Sequence, residues 1–76
     1  MANQFYDLYV QLANHRAVKA TKVNNLIAKT LSELSLEQQI KILQDDSPES
    51  LQKIFVSAYE NSLFEVCAVI KGIMEK

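Results

Sequence analysis

Ser47-Pro48-Glu49-Ser50-Leu51-Gln52-Lys53-Ile54-Phe55-Val56-Ser57-Ala58 is the stretch that decides the fold. Serine suits a helix N-cap, proline suits the first helical position with its fixed φ and missing N–H, and glutamate favours the positive helix start. Leu51, Ile54, Phe55 and Ala58 then recur at helical spacing and form one inward face. A helix over 48–60 follows, with the strongest boundary of the chain at its start.

Upstream, Ser35-Leu36-Glu37-Gln38 matches a capping box, with Gln38 reaching back to the serine. Leu36, Ile40 and Leu43 give a buried face to a helix over 36–45, which stops at Asp45-Asp46. Downstream, Asn61-Ser62 breaks the phase, and Ser62-Leu63-Phe64-Glu65 reads as a second capping box. From Leu63 to Met74 nine residues are apolar and cover nearly all sides. Helix 63–75 is therefore expected at the centre of the bundle, or as half of an interface.

The first half of the chain is less punctuated. Asn3 is a good N-cap, and Phe5, Leu8, Tyr9 and Leu12 share one helical face. Val23, Leu26, Ile27, Leu31 and Leu34 form a second stripe, in phase with the first across about five turns. Arg16 and Lys19 interrupt it. The segment reads either as one long helix or as two, over 4–14 and 17–34, with the break favoured near residues 14–20. The expected fold is thus all-α: one domain over 1–76, a small bundle of four to five helices.

The composition agrees. With one Gly, one Pro and 49% hydrophobic residues against 22% charged, the chain is helix-rich and too apolar for disorder. The longest apolar run, Val66 to Ile70, is far short of a membrane span. Residues 1–4 lack the charged and apolar regions of a signal peptide. With its lone free cysteine, the protein reads as cytoplasmic. Cys67 is the only cysteine and His15 the only histidine, so an intrachain disulfide and a structural zinc site of about four Cys or His ligands are excluded.

Catalytic chemistry finds no constellation. Cys67 sits in the apolar last helix, where a thiol is inert. His15 lies in a basic, polar stretch, and the adjacent Asp45 and Asp46 diverge. The single glycine, Gly72, rules out a phosphate-binding glycine loop. No enzyme activity, cofactor, metal or small-molecule substrate is expected.

Two partner classes remain. Tyr6, Val10, Ala13 and Ala17 form a second apolar seam beside the first face of helix one and widen it to roughly 200°. Tyrosine favours interfaces because it couples an apolar ring to a polar tip. The favoured reading is a small non-enzymatic interaction module of the inhibitor, immunity, chaperone or adaptor type. It would act through helix one, as a homodimer or bound to another protein. The alternative is a nucleic-acid-binding protein whose helix two offers Arg16, Lys19, Lys22 and Lys29 to phosphates, with Asn24 and Asn25 among them. Charge is divided. Residues 1–32 carry those four cations against Asp7, whereas residues 33–76 carry eight acids against four lysines. Four cations are a weak footprint for nucleic acid.

Overall fold

A computed structural model describes residues 4–75, and every regular element among them is helical. Helix α1, Tyr6–Val10, continues as a π-helical turn over Gln11–His15. Then follow α2, Lys22–Ser32; α3, Leu36–Leu43; α4, Pro48–Glu60; and α5, Phe64–Met74. The five helices agree with the expected all-α bundle. The N-cap expected at Asn3 lies outside the described residues.

The first two helices are separate. Ala17 adopts a left-handed φ of 54°, and the Val18 N–H donates to the Leu12 carbonyl at 3.0 Å, which closes the π-helical turn. Helix α2 begins only at Lys22, five residues later than expected. Thr21 is its extended N-cap, and the hydroxyl accepts from the Asn24 N–H at 3.1 Å. Downstream, Ser35 and Gln38 form the expected capping box. Ser47 caps α4 by accepting from the Ser50 N–H, with Pro48 following.

The second capping box does not form. Ser62 instead takes a left-handed φ of 59°. Its N–H donates to the Tyr59 carbonyl and the Leu63 N–H to the Ala58 carbonyl. That pair of bonds is a Schellman closure of α4, with serine where glycine is usual. Leu63, with no side-chain bond, becomes the N-cap of α5.

The central element is α4 rather than α5. Leu51 and the unbroken run Ile54–Ala58 are buried, and α4 packs on α1, the π-helical turn, α2 and α5. The first helical segment docks as expected through Phe5, the N-cap of α1, and Leu12 of the π-helical turn, both buried, with Leu8 and Tyr9 of α1 packed against the core. Five of the six aromatic rings form one ladder. Tyr9 stacks on Tyr59 at 4.3 Å, Tyr59 meets Phe64 edge-on, Phe64 stacks with Phe5, and Phe5 meets Phe55 edge-on. The Tyr9 hydroxyl donates to Glu60 Oε2 at 3.0 Å.

Two helices bury only part of the face expected: Leu31 and Leu43 are buried as expected, and their companions are not. In α2, Ala28 and Leu31 point inward, Asn24 and Asn25 are half-buried, and Val23, Leu26 and Ile27 are exposed. The break at residues 16–21 frees α2 from the phase of α1. The Asn61 side-chain amide then holds Asn25 Oδ1 at 3.1 Å. In α3, Gln39 and Leu43 are buried while Leu36 and Ile40 are exposed. Gln39 Nε2 donates to the Leu34 carbonyl at 3.1 Å and to Glu65 Oε1 at 2.8 Å. These charge-assisted and backbone bonds set the rotation of α3.

Candidate functional site

The rotations of α2 and α3 leave large apolar side chains exposed. On α3, Leu36 and Ile40 stand one turn apart and face α5, which presents Ala68, Val69, Gly72 and Ile73. Together the six residues line an open groove of about 300 Å³. Its floor is low because Ala68 and Gly72 contribute almost no side chain. A Cβ added at Gly72 would meet nothing within 4 Å.

Gly72 has no local reason to be glycine. Its φ is not positive, and it lies inside α5, where glycine costs roughly 0.5–1 kcal/mol relative to alanine. Among the described residues the two left-handed positions are held by Ala17 and Ser62 instead. The fold therefore gains nothing from this glycine, while the groove gains depth.

On α2, Val23 and Leu26 are 67% and 66% exposed, and Ile27 lies beside them. Lys22, Leu26 and Lys29 follow i, i+4, i+7, so a leucine sits between two lysines on one line of the helix. Both lysines are exposed.

The residues expected on helix one are placed as follows. Tyr6 is 47% exposed, Val10 and Ala13 are half-buried, and Ala17 lies beyond the helix in the left-handed turn. Tyr6, Val10 and Ala13 share the helical segment, and Ala17 does not continue it. Of the four cations, Lys22 and Lys29 share α2. Arg16 ends the π-helical turn and Lys19 lies in the connection. All four are exposed. Asn25, expected among them as a base-reading residue, is engaged with Asn61. Sequence periodicity marked Val23, Leu26, Leu36 and Ile40 as core. The signal that places Leu36 and Ile40 outside is Gln39, a polar residue next to Ile40 that claims the inward position.

Reactive groups are few. Cys67 is fully buried, and its thiol lies 3.9 Å from the Phe55 carbonyl, to which it donates. Burial pushes that thiol from an ordinary 9.0 up to about 12. The folded state thus holds the proton where the unfolded state releases it. This contribution is complete below pH 9 and is lost as pH rises through 12. Denaturation followed against pH should show stability falling by about 1.4 kcal/mol per unit above pH 9, with a shallower fall in Cys67→Ala. Tyr9 acts in the same direction at higher pH. Burial, then the bond to Glu60, raises its hydroxyl above the ordinary 10.0.

Among the described residues no group of three or more His, Cys, Asp or Glu side chains is placed to hold a metal ion. No helix among them is long and apolar enough to cross a membrane. No protein-family model, curated protein or solved structure matches the chain.

Proposed function

We propose that this chain is a protein-interaction module and that the groove between α3 and α5 is its principal binding surface. The observation that carries this reading is Gly72, a helix-interior glycine that opens a groove walled by exposed Leu36 and Ile40. Large apolar side chains left in water on facing helices mark a binding surface more than a defect of packing. The shape suits a helix laid into a groove, a common way for helical modules to bind protein. Helix one, the surface favoured by the sequence, offers Tyr6 as its one exposed large apolar side chain and takes second place.

Nucleic acid is the weaker reading. The lysines of α2 flank exposed Val23, Leu26 and Ile27, and a phosphate backbone has no use for that apolar strip.

A photo-crosslinking residue at position 72, in cells that make the protein, tests the proposal. A protein adduct is expected there and not at exposed Lys53 on α4, and Ile40→Lys should suppress it. No adduct at position 72 above that of Lys53 would sink the reading.

A further inference from the structure

We propose that the occupant of the α3–α5 groove is α2 of a second copy of this chain. The inference rests on the groove being a binding surface and names what fills it.

The two faces are complementary in charge and shape. On α5, Glu65, Ala68, Gly72 and Glu75 follow i, i+3, i+7, i+10, with Glu75 the C-cap. The low floor of the groove is thus bounded along one helical line by an acid at each end; Glu65 accepts from Gln39 and Glu75 lies 3.8 Å from Lys71, and both acids stay exposed to a second partner. The opposing stripe on α2 is Lys22, Leu26, Lys29, with Val23 and Ile27 alongside. It is apolar at its centre and cationic at each end. The acids are about 15 Å apart along the axis and the lysines about 10 Å, a difference that extended lysine side chains span. Laid along α5, Leu26 would enter the space that Gly72 leaves open, with Leu36 and Ile40 closing over Val23 and Ile27. The wider charge division orients the approach. Residues 8–32 contain no acid, and the groove belongs to the half with eight acids against four lysines. Such complementarity selects partner and register. The contact joins two different surfaces, so each copy keeps one free unless the pair closes reciprocally.

Two variants, each damaging one side, provide the test. Leu26→Lys removes the knob and keeps the groove. Gly72→Trp fills the groove from its own helix and keeps the knob. Position 26 is two-thirds exposed and position 72 faces open space, and circular dichroism and thermal melting of each should report a folded chain. Light scattering over a concentration series should show the native protein at twice the chain mass or more and each variant alone at the chain mass. Mixed, the two variants should recover a one-to-one pair, because the mixture again holds one intact knob and one intact groove. Added salt should weaken the pair. A native protein that stays monomeric at all concentrations overturns the inference, and so does a mixture that stays monomeric. A crosslink at position 72 to a different protein, with the purified chain monomeric, would remove the second copy and leave the groove as a binding surface.

Discussion

Phe55→Ala should lower the stability of the chain by about 3–5 kcal/mol, among the largest losses available to any single truncation in it. Phe55 is fully buried in the middle of α4 and meets Phe5 edge-on with ring centroids 6.2 Å apart. Truncating a buried phenylalanine costs about 3–5 kcal/mol. A domain of this length has roughly 4–11 kcal/mol in total, at about 0.05–0.15 kcal/mol per residue. The loss therefore takes from about a quarter of the stability to all of it. It also removes the inner end of the ring ladder, so α1 loses the partner of Phe5. Urea denaturation followed by circular dichroism checks the size of the effect. Phe64→Ala is the control. Phe64 is 39% exposed and touches the same ladder, so its loss should cost much less. Equal losses in the two variants would mean that the ladder, not the core position, sets the cost.

Leu43→Ala should act locally as well as globally. The variant removes the only fully buried apolar side chain of α3, whose other inward residue is Gln39. Helix α3 packs chiefly on α5. Its attachment is therefore one leucine, one glutamine bond to Glu65 and the covalent connections at its ends. A buried leucine truncated to alanine costs about 2–5 kcal/mol. Because α3 has so little else to hold it, part of that cost should appear as detachment of α3 alone, a sub-global opening. Amide exchange is the measurement. Protection in Leu36–Leu43 should fall further than protection in Ile54–Ala58. A uniform fall across both helices would show α3 to be fully coupled to the core. Detachment also dismantles the groove, since Leu36 and Ile40 leave with the helix, so any binding at position 72 should weaken in step.

The parts of this fold legible in the sequence are those written in local chemistry. Ser35 with Gln38, and Ser47 with Pro48, announce helix starts that the structure keeps. The inward faces of α1 and α4 are equally readable, because each is a strong stripe with few competitors. What periodicity does not contain is the choice between two apolar faces on one helix. In α3, Leu36 and Ile40 look like core until the bonds of Gln39 to Leu34 and Glu65 are known, and the second of those joins residues 26 apart. In α2, the rotation follows from a left-handed alanine and an Asn25–Asn61 bond, neither signalled locally. Ser62 is ambiguous for a related reason. A serine serves as N-cap or, less often, as the left-handed residue that closes the preceding helix. The misread apolar residues are the ones that form the candidate surfaces, as expected where function competes with burial.

The stacked tyrosines have a use outside stability. The chain contains no tryptophan, so its intrinsic ultraviolet emission comes from Tyr6, Tyr9 and Tyr59. Tyr9 lies against Tyr59, and its hydroxyl is bound to a carboxylate. Ring stacking and a nearby carboxylate both quench phenol emission, so the folded chain should glow mainly from exposed Tyr6. Lifting α1 off α4 separates the two rings and breaks the bond to Glu60, which brightens the signal. Filling the groove on α3 and α5 touches neither tyrosine of the stack. The protein thus carries its own optical gauge of whether α1 is seated, and that gauge is blind to the event at the groove.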